Sequence, residues 1–245
     1  MPHDAPAPQQ VLCYHDAQLY ASDVALFAPR QWLNDSAIHF YLTYLQHMVC
    51  QTRSSGAEAA EADGESGGDV LLADPAVVSC LTLQCDDDDE FRELGDGLRL
   101  ADKRLCLLPV SDNEWLGGAS SHWSLLVFRR DALAFEHYDS SAGANARAAA
   151  RVKCAFEKML RLCDPSVGAA VTAEMPLEEA RDAPQQTNGY DCGVYVLAVA
   201  EWLCRQHVGE NALPPLAEFV TPERVTQTRR AMPALVRRLQ VEQSA

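Results

Sequence analysis

The stretch Pro184-Gln185-Gln186-Thr187-Asn188-Gly189-Tyr190-Asp191-Cys192 is polar and rich in turn formers, and it gives way abruptly to an apolar run. From Gly193 to Cys204 twelve residues carry one charge, Glu201. The pattern predicts a loop entering a buried helix, around which the rest of the chain has to supply a core. Cys192 then falls in the first turn, where unpaired N–H groups and the positive end of the helix dipole favour a thiolate. A cysteine in an apolar helix is ordinarily a packing residue, and Cys204 reads that way. Cys192 reads as a nucleophile, because a glutamine, a histidine and an aspartate elsewhere can be given complementary roles.

With 245 residues and 48% hydrophobic composition the chain can build one large core or two small ones, and a single domain over residues 11–241 after a flexible N-terminus is expected. No run approaches the ~18 apolar residues of a membrane span. The start, Met1-Pro2-His3-Asp4-Ala5-Pro6-Ala7-Pro8, lacks the basic and apolar regions of a signal peptide, so a cytoplasmic or nuclear monomer is expected. Nine cysteines, the nearest being Cys80 and Cys85, fit neither a disulfide framework nor a CxxC zinc site, which predicts reduced thiols, no metal and no cofactor. The 35 acidic against 20 basic residues, a net charge of −15, disfavour nucleic acid. That charge suits a partner with a basic face or serves solubility alone.

Val11-Leu12-Cys13-Tyr14 has the composition of a short strand, and residues 22–27 read as a turn. Asn34 or Asp35 can cap a helix carrying Ile38, Tyr41, Leu42, Leu45, Met48 and Val49 at helical spacing. Thr52 to Asp69 lacks large apolar residues and reads as a disordered insertion. Asp74-Pro75 opens a second helix, and Asp86 to Glu90 reads as a solvated loop or a docking site for a basic partner. Residues 104–110, 122–128 and 133–139 read as neighbouring strands. Antiparallel pairing of the last two would bring His122 and Asp139 together. A helix over 144–163, a strand over 171–175 and a C-terminal helix from Pro222, kinked or broken by Pro233, complete an α+β domain.

A thiolate nucleophile needs a base, a group that orients the base, and a donor for the oxyanion. His122, Asp139 and Gln186 can supply these to Cys192. His137 is the weaker base candidate, because two residues along one strand it points parallel to Asp139 rather than at it.

Trp32-Leu33-Asn34-Asp35, His122-Trp123-Ser124, Tyr138-Asp139-Ser140 and Gln185-Gln186-x-Asn188-Gly189-x-Asp191-Cys192-Gly193 resemble the motifs of the ubiquitin-like protease family, the SUMO/sentrin-specific cysteine proteases. Within that family, Val110 to Asn113, Gly117-Gly118, His137 to Ser140 and Gly189 to Cys192 are most similar to its deneddylating members. The resemblance implies a papain-like fold with rearranged element order, a central mixed sheet flanked by helices, and a triad of Cys192, His122 and Asp139. It also implies that Gln186 and the Cys192 N–H hold the oxyanion, that Trp32 and Trp123 clamp the Gly-Gly tail of a ubiquitin-like modifier, and that Asp35 holds the tail's backbone. The implied reaction is thiol hydrolysis after that tail, on a conjugate or a precursor, with the neddylation modifier as expected substrate and SUMO as the alternative. A Cys/His/Asp acyltransferase and an inactive modifier-binding protein are the competing readings.

Overall fold

The computed structural model describes residues 9–50, 68–115, 118, 120–170 and 173–244. A hairpin of β1 (Gln10–Tyr14) and β2 (Ala17–Tyr20) leads through the short helix α1 (Ala21–Ala25) to α2 (Asp35–Leu45), which continues as a π-helical turn over Gln46–Cys50. There follow β3 (Val70–Leu72), α3 (Pro75–Leu83), α4 (Asp88–Gly97), β4 (Leu105–Ser111), β5 (Trp123–Arg129) and β6 (Ala134–Tyr138). The C-terminal part contributes α5 (Ala146–Cys163), α6 (Pro165–Ala170), β7 (Leu177–Glu179), α7 (Cys192–His207), α8 (Leu216–Phe219) and α9 (Pro222–Ser244).

Strands β3 to β7 form one five-stranded sheet in sequence order, with β3–β4 and β6–β7 parallel and the inner pairs antiparallel. Side-chain alternation divides the core. Leu125, Val127 and Tyr138 pack with α2 and α7, whereas Leu126, Phe128 and Phe135 pack with Phe156 and Met159 of α5. Burial on both faces explains why these strands read as nearly continuous apolar runs. The layered α+β arrangement agrees with the sequence-based expectation.

Several local expectations need correction. The acidic run is solvated, but only Asp86 and Asp87 lie outside a helix: Asp87 caps α4, its carboxylate accepting from the N–H groups of Asp89 and Glu90, while Glu90 closes a capping box. Carboxylates at a helix N-terminus are stabilised by the exposed N–H groups and the dipole, so this run starts a helix. Helix α9 continues through Pro233 without a break. Met232, Val236 and Leu239 bury on one side of it, and this burial outweighs the single backbone hydrogen bond that proline removes. Of the strand expected over 171–175, residues 171–172 lie outside the described residues and 173–175 are irregular. The strand forms at Leu177–Glu179 instead, where it can pair with β6. The expected insertion lies outside the described residues except for Gly68 and Asp69. Both are anchored, the Gly68 carbonyl by Lys103 Nζ at 2.7 Å and the Asp69 carbonyl by the N–H of Arg104 at 2.7 Å.

Candidate active site

The antiparallel register that sets Leu125 opposite Tyr138 places the residues before β5 and after β6 at one end of the sheet. There His122 Nε2 lies 2.7 Å from Asp139 Oδ1, and the Cys192 side chain is near enough to act on the same ring electrostatically. With Nε2 committed to Asp139, Nδ1 is the nitrogen left for the thiol. Cys192 is the first residue of α7 and is 2% exposed.

Burial alone would lower the His122 pKa. The hydrogen bonds and charges of Asp139 and Cys192 overcome it and raise the value to about 9. Burial would likewise raise the Asp139 carboxyl, but hydrogen bonds from His122, Asn145 and Ser141 hold it below the usual carboxylate range. The backbone N–H of Ser141 donates to Oδ1 at 2.8 Å and that of Asn145 to Oδ2 at 2.9 Å.

Three fixtures outside the predicted site hold this geometry. Asp112 gathers the chain before His122, accepting from the backbone N–H groups of Ser121 at 2.8 Å and His122 at 3.2 Å and from both serine hydroxyls at 120 and 121. Asn145 Nδ2 donates to Val110 O and Ser124 Oγ, both at 3.0 Å, tying β4 and β5 to the residue that braces Asp139. Arg229 of α9 reaches Asp191 with Nε–Oδ1 at 2.6 Å and also donates to Tyr190 O and Leu26 O, so the loop before Cys192 hangs on a buried ion pair. A signal for Arg229 was present in the sequence: it interrupts the apolar stripe Val225, Met232, Val236 and Leu239. Asp112 falls in the stretch Val110 to Asn113 that carries the family likeness but has no assigned role there, and Asn145 gave no signal, being an ordinary loop residue until the sheet brings it in.

Gln186 and Gln185 are differently engaged. The Gln186 N–H donates to Ser140 O at 2.8 Å and its Oε1 accepts the Ser140 hydroxyl at 3.0 Å, which fixes the amide while leaving Nε2 available. Gln185 is a brace: Nε2 donates to Asp139 O and Ala183 O, and Oε1 accepts from Ala142 N–H.

Asn34 caps α2 through the Ala37 N–H at 3.0 Å, which releases Asp35 in the first turn. Desolvation by its surroundings, with the charge of Asp74, raises the Asp35 carboxyl pKa. A cleft of about 380 Å³ is lined by Trp32, Asp35, Ser79, Asn113, Trp115 and Trp123. The two predicted clamp indoles differ in role. Trp32 is 49% exposed and donates Nε1–H to Gly189 O at 2.7 Å, whereas Trp123 is 3% exposed and donates to Leu33 O at 2.9 Å. A Cβ on Gly193 would sit 3.1 Å from Leu33 Cβ, so glycine after the cysteine lets α7 approach this segment.

His137 does not join the site cluster. It is fully buried and bonded to Ser124 and Glu179. Among the described residues no group of three or more His, Cys, Asp or Glu is arranged for a metal ion, and no helix is long and apolar enough to cross a membrane.

A helix-N-terminal thiol and a carboxylate-bound histidine, joined at one end of a mixed sheet, make the equipment of a cysteine protease. Residues 91–233 match the Ulp1 protease family, C-terminal catalytic domain. The chain is 32% identical to NEDD8-specific protease 1 of Arabidopsis thaliana, over 80% of this chain and 75% of that protein. It is 31% identical to sentrin-specific protease 8 of Rattus norvegicus, over 94% of each. Its fold is similar to the C-terminal Ulp1 protease domain solved in complex with Smt3, the yeast ortholog of SUMO, with a TM-score of 0.67, 19% identity, and coverage of 95% of this chain and 89% of that one. The chain belongs to the Ulp1 protease family and is a cysteine peptidase.

Proposed function

We propose that this protease hydrolyses the bond after the C-terminal Gly-Gly of a ubiquitin-like modifier, the NEDD8-type modifier in particular, using Cys192, His122 and Asp139. The observation that carries the reading is His122 Nε2 held 2.7 Å from Asp139 beside the ring's electrostatic partner Cys192, the first residue of α7. His122 holds the thiol proton as an imidazolium, Cys192 Sγ attacks the terminal glycine carbonyl, and the imidazolium passes the proton to the leaving lysine amine or chain amine. Water, deprotonated by His122, then releases the modifier from the thioester. Asp139 keeps the ring oriented and stabilises its charged form. The free amide N–H of Gln186 and the backbone N–H of Cys192 serve the tetrahedral oxyanion. Trp32 and Trp123 border the tail, and Asp35 accepts from its backbone.

The names of similar proteins support the choice of modifier: the Arabidopsis thaliana relative is a NEDD8-specific protease, and the likeness extends over most of both chains. A panel of modifiers ending in a C-terminal electrophile tests it. NEDD8 should label Cys192 fastest and SUMO slowly or not at all. Preferential capture of SUMO would overturn the assignment, and reversible binding without capture would overturn the catalytic reading.

A further inference from the structure

Behind the site, a chain of buried hydrogen bonds runs from the surface to Asp139. Glu179 on β7 is half exposed, and its carboxylate is 2.8 Å from His137 Nδ1. His137 on β6, its register partner, is fully buried, and its Nε2 is 2.9 Å from Ser124 Oγ. Ser124 Oγ accepts from Asn145 Nδ2 at 3.0 Å, and the Asn145 backbone N–H donates to Asp139 Oδ2 at 2.9 Å. Ser124, His137 and Glu179 have the residue types of a hydrolytic triad, but Ser124 is 0% exposed, and no substrate can reach it.

The hydrogens in this chain have a direction. Val110 O can only accept, so the Asn145 amide turns its nitrogen toward it and, with the same nitrogen, toward Ser124. Asn145 Oδ1 is consequently left buried without a partner among the described residues. The Glu179 carboxylate can only accept, so His137 carries a hydrogen on Nδ1, and in the neutral ring Nε2 accepts the Ser124 hydroxyl hydrogen. A buried chain of hydrogen bonds with a set direction resists reorientation of its members.

We propose that His137 is a positioning residue for the His122–Asp139 pair, its tautomer set by Glu179 and its effect delivered through Ser124 and Asn145. The proposal rests on the catalytic reading of Cys192, and its test is chosen to separate the two. Glu179 lies at the surface, so Glu179→Ala removes the acceptor without opening the core, and Glu179→Gln restores an oxygen that can accept from Nδ1–H. Ser124→Ala cuts the chain at its centre.

Three readings decide the matter. Nitrogen-15 spectra of the histidine rings should place the His137 hydrogen on Nδ1 in the wild type and in Glu179→Gln, and show loss of that single tautomer in Glu179→Ala. Cleavage by Ser124→Ala should lose roughly 10-fold in kcat with KM unchanged, the low end of the ~10–100-fold loss seen for outer-shell partners of metal-bound histidines. Glu179→Ala should show a smaller loss that Glu179→Gln recovers. The pH titration of the His122 ring, followed in the same nitrogen-15 spectra, should move to lower pH in Ser124→Ala and Glu179→Ala. A wild-type His137 with its hydrogen on Nε2, or Glu179→Ala with wild-type kcat and His122 titration, would overturn the proposal. A shifted His122 titration in a protein that cleaves no modifier would uphold the relay and reject the proposed substrate.

Discussion

His122 and Asp139 are separated in sequence by two strands and the turn between them, yet Nε2 and Oδ1 meet at 2.7 Å because β5 and β6 pair antiparallel and both residues lie at the same end. The sheet makes the ion pair, and the ion pair sets the state of the ring that faces Cys192.

The raised His122 pKa gives a pH prediction with a definite sign. Below about 9 the ring is an imidazolium, and above it the charge is lost. The alkaline limb of kcat/KM should therefore lie near pH 9, and Asp139→Asn should move it toward lower pH. The folded-state pKa is raised, so the associated stability is fully present below the unfolded histidine value of ~6.5 and is lost as pH rises through about 9. Denaturant midpoints measured from pH 6 to 10 in wild type and Asp139→Asn check this: the wild-type advantage should shrink across that window.

The two glutamines should separate cleanly. Gln186→Ala should lower kcat by ~10²–10³ with little change in KM, the usual loss for one oxyanion donor. Gln185→Ala instead removes bonds to Asp139 O, Ala183 O and Ala142 N–H. It should cost roughly 1 kcal/mol of stability per net hydrogen bond and less in rate. Equal kinetic defects at the two positions would contradict the division of roles.

Trp32 and Trp123 should also part company. Trp32→Ala should slow cleavage strongly with a small change in melting temperature, since the side chain is half exposed. Trp123→Ala should cost about 3–5 kcal/mol, as for a buried aromatic. Steady-state rates and thermal melts on the same preparations decide between them.

Arg229→Met leaves Asp191 as a buried carboxylate still held by Asn188 but without its ion-pair partner. Breaking one side of such a pair costs about 3–5 kcal/mol. Chemical denaturation should show that loss, and the loop carrying Cys192 should lose activity with it.

The site was more legible in the sequence than its supports. Cys192, His122 and Asp139 could be found because each sits where an element begins or ends, and strand order alone brings two of them together. The bracing roles of Asp112 and Asn145 could not be read, because they depend on loop paths that no periodicity encodes. The acidic run is solvated as its charge density implies, while the helix its second half forms rests on the capping geometry of Asp87 and Glu90, which depends on where a helix starts. Pro233 does not break its helix, because burial of its helix neighbours overrides the local rule about proline.

The most direct test of the account is cleavage of a Gly-Gly-terminated NEDD8 precursor by Cys192→Ala beside the wild type, with melting curves and modifier binding measured on both. The account predicts that hydrolysis falls to the uncatalysed background while the melting temperature and binding are retained, because the substitution removes the nucleophile and little volume. Cleavage above a trace by the folded variant would contradict it and assign the chemistry to another thiol.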